Sequence, residues 1–461
     1  MNFKRITTMI LVAAMLAGVV SGCKKVPDEV PTSSSTEATT VEIETTTNPD
    51  STEVTQAPLI LDGYSQLPLL STNDASDTVD IYSWNNELSS LIDTYSDINY
   101  NYTVYEEYEY YEYLDQAFAD GNAPDLFVCD SEHAREYAIN GQAMPVNSVG
   151  ISNSELTGMF DSTLRNATDN DGVIRGLAYA VEPVGIFYNR DLALEYLGVE
   201  EPADVQAFFA DWDSFLSTAR NVNTASEGEV RLIGGPGELE TTFLAQRTTP
   251  WVDGTTVSFD DAMSNYLEVS QSLALEELTF NSIVGSPDWQ TQILGDQVIA
   301  CYATLDDMRR VMINAPTGEE APNWGLVDTP SATCVGTAFI MVSSTCDMTA
   351  SCAKILRDIA INNEALEAMA ASGMFVNSSA VMNEIASDVN YTYEWLVGQN
   401  PIVILLNDAT NASSLVLCAN EAEAMSVYHV VAESFLTGDI TSISDAENSY
   451  IAVMEEHLGI V

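Results

Sequence analysis

Basic residues are scarce in this sequence: 15 Lys and Arg stand against 69 Asp and Glu, a formal net charge of −54 over 461 residues. A surface of that sign repels phosphate backbones and anionic headgroups, which argues against nucleic acid and against charge-driven membrane binding. Histidine is rarer still, at three (His133, His429, His457). No HExxH, GxSxG or GxxxxGK[ST] occurs, and "IGGPGE" (233–238) lacks the glycine spacing of a dinucleotide loop. Nothing therefore organises a metal, a nucleophile or a phosphate cradle; no metal, cofactor or catalytic residue is expected. A glycosidase needs only two carboxylates at a set separation and is not removed by counting. CxxC is absent too. Cys129 and His133 lie one helical turn apart, too few ligands for zinc. Beyond Cys23 the cysteines are 129, 301, 334, 346, 352 and 418, an even set that permits disulfides in an exported chain. Cys346 and Cys352, flanking a short loop, are one possible pair.

Export is read from the beginning of the chain. "MNFKRITTMILVAAMLAGVVSGC" carries Lys4 and Arg5, then an apolar stretch shorter than the ~20 residues that span a bilayer, then small residues. This is a signal peptide over 1–22, and its Val20-Ser21-Gly22-Cys23 ending resembles the lipobox of bacterial lipoproteins, with Cys23 as the lipidated residue. Residues 23–76 are rich in Ser, Thr and Glu ("PTSSSTEATTVEIETTTNPDSTEVTQAP") and read as a disordered tether. The remainder has no second long apolar run and exceeds the ~250–300 residues usual for one core, so two lobes are expected.

Short apolar strands alternate with helical patterns: "TVDIYSW" and "APDLFVCD" against "NELSSLIDTYS" and "YEYLDQAFADG". The pattern implies an α/β fold with mostly parallel sheets flanked by helices, in which ligands sit at the carboxyl ends of strands. Three clusters reach that rim. Trp84, Asn85, Asn86 and Glu87 follow the first strand, Asp130, Ser131, Glu132 and His133 follow another, and Glu182 interrupts the apolar run "GLAYAVEPVGIFYNRDLALEYLGV" (176–199). A carboxylate there must either pair, for instance with Arg190, or line a cavity, because unpartnered burial costs several kcal/mol. Core packing for Trp84 and a solvated helix start for Glu132 are the competing uses. "YEEYEYYEY" (105–113) reads as a helix whose glutamates face water.

"AYAVEPVGIFYNRDL", "DWDSFLSTA", "TTPWVDG", "NWGLVDTP", "FVNSSAV" and "GQNP", in this order, resemble the extracellular solute-binding proteins (family 1) of carbohydrate ABC importers, the group of the maltose-binding protein. The resemblance implies a two-lobed periplasmic-binding-protein-like fold (type II) with hinge crossovers near 181–187, 326–330 and 373–377. Lobe 1 would comprise 77–182 and 328–374, and lobe 2 would comprise 183–327 and 375–461. It also implies a sugar or oligosaccharide in the inter-lobe cleft, delivery to permease subunits, a monomer, and a lipid-anchored place on the outer face of the cytoplasmic membrane. Carried over residue by residue, it puts Glu182 on solute hydroxyls and adds Glu132, His133, Trp84, Asn86, Trp251 and Trp289 as contacts, with a core or surface place as the competing use of Trp251 and Trp289.

Departures bear on the solute. In "GDQVIACYATLDDM" Leu305 stands where relatives carry a stacking tryptophan, and Asp306-Asp307 follow it; "PSATCVGTAF" lacks the relatives' aromatics. Fewer stacking platforms disfavour a long neutral glucan, and extra carboxylates, Asp306 among them, permit an amino sugar or other cationic solute. A carbohydrate-active hydrolase and an adhesin lipoprotein are the readings from other classes.

Overall fold

The computed structural model describes residues 63–335, 337–412 and 416–460; the leader, Cys23 and the tether as far as residue 62 lie outside them. Among the described residues no helix is long and apolar enough to cross a membrane. The first sheet contains β1 (Val79–Ser83), β2 (Tyr100–Val104), β3 (Leu126–Cys129), β4 (Gly176–Ala178) and, from late in the chain, a strand introduced below. The second is centred on β5 (Glu182–Asn189), with β6 (Val252–Asp253) and β7 (Thr256–Val257) a separate hairpin beside it. β8 (Ala300–Thr304), β9 (Trp324–Val327) and β10 (Cys334–Val335) pair with β5, and β11 (Phe339–Val342) returns to the first sheet, ordered β2-β1-β3-β11-β4.

β5 is apolar nearly throughout because both faces are covered. Val184, Ile186 and Tyr188 enter one core with Phe215, Leu267 and Tyr302, while Phe187 enters the other with Leu326, Trp324 and Leu405. Alternate residues serve alternate faces, so polar residues are left to the two ends, Glu182 and Asn189. β1 pairs in parallel with β2 and β3, as the βα alternation implies. β11 runs antiparallel to β3 and β4, and β8, β9 and β10 all run antiparallel to β5. The sheets are thus less parallel than the alternation suggests. The reason lies in the connections: β5 and β11 each follow a crossing between lobes, and each enters its sheet against the direction of its neighbours.

Three segments cross between the sheets. Residues 179–181 and 373–377 lie side by side, with Ala180 bridged to Val376 and Val181 N–H donating to Phe375 O at 2.9 Å; the third is the passage of the chain from β10 in the second sheet to β11 in the first. Asn377, 1% exposed, pins the first two. Its Nδ2 donates to Ala178 O and Thr163 Oγ1, both at 2.9 Å, and its Oδ1 accepts from Phe160 N–H at 2.9 Å. Helix Asn363–Ala371, just before this crossing, buries Leu366 and Met369 in the same cluster as Phe187.

Residues 63–76, expected within the disordered tether, instead run as a strap along the first lobe. Tyr64 Oη donates to Asp161 Oδ1 at 2.8 Å, and Leu67 N–H donates to Asn147 Oδ1 at 3.0 Å. Helix Thr349–Ala360 has no side-chain cap from its own N-cap residue, Met348. Asp74 supplies it: Oδ1 accepts from Ala350 and Ser351 N–H at 3.0 and 3.1 Å, and Oδ2 accepts from Ser351 Oγ at 2.8 Å. A carboxylate at a helix N-terminus satisfies orphan donors and meets the positive end of the dipole, which is why the strap stays down.

Candidate functional site at the lobe junction

The loop after β1 turns at once into helix Glu87–Tyr95. Asn85 Oδ1 accepts from Glu87 N–H at 2.9 Å, so this side chain is spent on starting the helix. Asn86 is exposed. Trp84 is half-buried, edge-on to Tyr110 with centroids 5.3 Å apart, and 6.4 Å from Tyr111. Glu87, beyond it, accepts from Tyr179 Oη at 2.8 Å.

After β3, Asp130 caps helix Ser131–Ile139, its Oδ1 accepting from Glu132 and His133 N–H, both at 2.9 Å. The same carboxylate holds His133 Nδ1 at 2.9 Å and accepts from Tyr111 Oη at 2.7 Å, and the imidazole lies flat on Tyr111, with centroids 3.5 Å apart and planes at 15°. Burial alone would depress the His133 pKa; the Asp130 hydrogen bond and charge outweigh it and raise it. His133 is therefore held as part of a rigid wall. Glu132 looks across to the second lobe, where His429 and Glu421 stand on helix Glu421–Leu436; desolvation first, then Asp130, raises its pKa. In the Tyr/Glu-rich helix Glu107–Asp120, Glu107 and Glu112 are exposed as expected, while Tyr110 is fully buried and Tyr111 forms the floor beneath His133.

Glu182 opens β5 at the crossing and lines a cavity of about 310 Å³ with Glu87, Thr304, Asp306, Arg310 and Gly373. Desolvation pushes its carboxyl up to about 7, with Asp307, Asp306 and Glu87 adding repulsion and Arg310 partly offsetting it. Arg190, the alternative partner, is far down the strand, donating to Trp324 O at 3.3 Å and lying 3.5 Å from Glu201. The carboxylate thus faces the cavity rather than a salt bridge. Opposite it, Thr304 and Asp307 form a capping box on helix Leu305–Met312, and Asp306 is bridged by Arg310 at 2.6 Å. Arg309 reaches the other way and donates to Ser372 O and Gly373 O at 2.9 and 3.0 Å. Gly373 is required there: its φ is +96°, and a Cβ would lie 2.5 Å from Arg309 Cζ.

The structure brings Glu182 and Asp306 to one cavity; Trp84 and His133 meet instead at Tyr111, and Glu132 at Asp130, and none of the three is among that cavity's lining residues. Trp251 and Trp289, expected as solute contacts, are instead core residues, each 1% exposed. Trp251 lies under Arg247, Cζ 4.0 Å from the ring centre, and donates Nε1–H to Glu421 at 2.6 Å; Trp289 donates to Glu238 at 3.2 Å. Their indole N–H groups are satisfied inside the lobe and no ring face is left for a sugar. Leu305 is likewise buried, 4% exposed. Glu87, part of the cluster read after the first strand, lines the cavity as well, whereas the sequence reading missed Arg309 and Arg310. A signal for the arginines existed: a chain with so few cations places two together, three and four residues after Asp306.

Two α/β lobes joined by three crossings, with a cavity at the junction, make the two-lobed type II periplasmic-binding-protein fold. Residues 86–282 match the family described as bacterial extracellular solute-binding protein. A crystal structure titled extracellular solute-binding protein family 1 superposes with a TM-score of 0.67 at 16% identity, covering 81% of this chain and 100% of that one. The galacto-N-biose/lacto-N-biose I-binding protein of an ABC transporter from Bifidobacterium longum gives 0.64 at 15% identity, covering 84% and 98%. The sugar-binding protein MalE of Xanthomonas citri gives 0.64 at 12% identity, covering 83% and 99%. No curated protein matches in sequence.

Proposed function

We propose that this protein is the solute receptor of an ABC importer. It captures a sugar or small oligosaccharide between its lobes and delivers it to membrane permease subunits, performing no chemistry itself. The observation that carries the reading is the cavity at the crossing with Glu182 on its wall. Supporting it, proteins of the same fold are described as complexed with beta-1,6-galactobiose, lacto-N-biose and maltotetraose. Solute that touches Glu182 and Asp306 in the second lobe and Glu87 in the first stabilises the closed arrangement by its differential affinity, and the permease reads that form. Acylation of Cys23 holds the monomeric receptor at the outer face of the membrane, since each buried methylene adds ~0.8 kcal/mol.

Mass spectrometry of small molecules released from the purified protein identifies the solute, and calorimetry then tests the site. Glu182→Gln keeps the shape but removes the charge, and is expected to weaken binding by about 1–3 kcal/mol, ten- to a hundredfold in Kd. Its melting temperature at pH 8 should not fall, because the change relieves a desolvated carboxylate. Unaltered affinity for an identified cleft ligand overturns the role of Glu182.

The acidic lining favours a second reading, an amino sugar or other cationic solute, since both nearby arginines are already engaged by Asp306 and by backbone carbonyls. An ammonium-bearing ligand should bind more tightly as pH rises through about 7, where Glu182 ionises, and that dependence should vanish in Glu182→Gln.

A further inference from the structure

Cys346 and Cys352 bracket residues 347–351, a loop end and the first turn of helix Thr349–Ala360, and the N-terminal strap holds this segment. Asp347 O accepts from Ala75 N–H at 3.0 Å, Met348 Sδ from Ser76 N–H at 3.2 Å, and Thr349 Oγ1 from Asn73 N–H at 3.1 Å; Ala350 and Ser351 bind Asp74 as described. Every residue between the two cysteines contacts the strap. The structure leaves all six described cysteines as thiols, yet Cys346 Sγ and Cys352 Sγ stand 3.6 Å apart. Among the described residues no other two cysteines are in sulfur contact; Cys129 and Cys301 have methionine sulfurs as neighbours, at 3.5 and 3.3 Å.

We propose that Cys346 and Cys352 are joined by a disulfide in the exported protein, and that this bond locks the segment by which the strap is fastened to the first lobe. A disulfide spans ~2.0 Å, so the sulfurs must close by roughly 1.5 Å, within reach of side-chain rotation. Both sit within seven residues at a helix start, which keeps them in register whatever the rest of the chain does. The family is extracellular, where such bonds persist.

The chemistry is exchange with an incoming disulfide, that of an oxidised thiol–disulfide oxidoreductase or of glutathione disulfide. Cys346 is half-buried and Cys352 buried, and the hydrogen bond with Cys346, then burial, pushes the Cys352 thiol well up. Cys346 is therefore the sulfur that meets the oxidant. Its thiolate attacks the external disulfide, forming a mixed disulfide and releasing one thiol. Cys352 then loses its proton and displaces the second thiol as the intramolecular bond forms. Two protons and two electrons leave the protein, and the oxidant departs as two thiols.

The test uses the full chain equilibrated with glutathione disulfide, alkylated under denaturing conditions without reductant and mapped by mass spectrometry. The expected product is a peptide carrying both residues, two hydrogens lighter and unalkylated, that takes up two alkyl groups after reduction. Alkylation of both cysteines without reduction, or pairing of either with another cysteine, overturns the proposal. For the locking role, hydrogen exchange at Ala75, Ala350 and Ser351 should quicken about tenfold or more on reduction, and the melting temperature should fall by a few degrees. The double variant Cys346→Ser, Cys352→Ser should match the reduced protein and ignore reductant. Exchange and melting unchanged by reduction refute the lock even if the bond exists.

Discussion

Glu421→Ala is expected to destabilise the protein by about 3–5 kcal/mol, read as a lowered denaturation midpoint, with little change in the shape of any variant that still folds. Glu421 and Arg247 are 4% and 6% exposed and form an ion pair inside the second lobe. Glu421 Oε1 also accepts from Trp251 Nε1, and its Oε2 accepts from Cys418 N–H at 3.2 Å. Removing the carboxylate strands a guanidinium whose Nε and Nη1 already have no hydrogen-bond partner among the described residues, and leaves it only the face of Trp251. Replacing both partners by apolar residues, Arg247→Met with Glu421→Leu, should recover much of the loss, because the cost comes from the stranded charge rather than from the bond. A double variant no more stable than Glu421→Ala would argue against that account.

Glu238→Ala should cost a similar amount, about 3–5 kcal/mol, by a different route. Glu238 is 5% exposed and has no cation beside it. Oε1 accepts from Gly234 N–H at 2.8 Å, Gly235 N–H at 3.0 Å and Trp289 Nε1 at 3.2 Å, and Oε2 accepts from Tyr302 N–H at 3.0 Å. "IGGPGE" is thus a carboxylate nest and not a nucleotide loop; Gly235 is needed because a Cβ there would lie 2.0 Å from Ser282 O. Burial pushes the Glu238 carboxyl up to about 7, although its N–H partners pull it down. Glu182 reaches about 7 and Asp408 about 8, both chiefly by desolvation. For acids raised on folding, the native state holds protons that the unfolded chain has released, so stability falls as pH rises from about 4 to about 8. The melting temperature should therefore be higher at pH 5 than at pH 8, in the direction also favoured by discharging a net −54 surface. A melting temperature that rises across that range would contradict the assignment.

Glu182 was legible in the sequence because a charge breaking an apolar run is conspicuous at any fold level, and its place as the first residue of β5 explains why it is tolerated there. Helix starts at Glu87 and Ser131 were legible for the same local reason, as polar residues following a strand. The tryptophans were not. What buries Trp251 is a carboxylate 170 residues later, and what caps helix Thr349–Ala360 is an aspartate 276 residues earlier. Spacing carries no trace of such partners. Strand direction failed similarly, since nothing local in β5 or β11 marks the crossings that precede them and set them antiparallel to their neighbours.

The strap also sets a distance. The chain is fastened to the first lobe from Tyr64 onward, so under the proposed acylation of Cys23 only residues 23–63 would separate the lipid from the folded body. At ~3.3–3.6 Å per residue that stretch spans no more than about 145 Å. A permease at such an anchor would meet its receptor within a hemisphere of that radius, a local concentration on the order of 0.1–1 mM. The bond from Tyr64 to Asp161 fixes the body end of that span, and with it the search volume of the receptor.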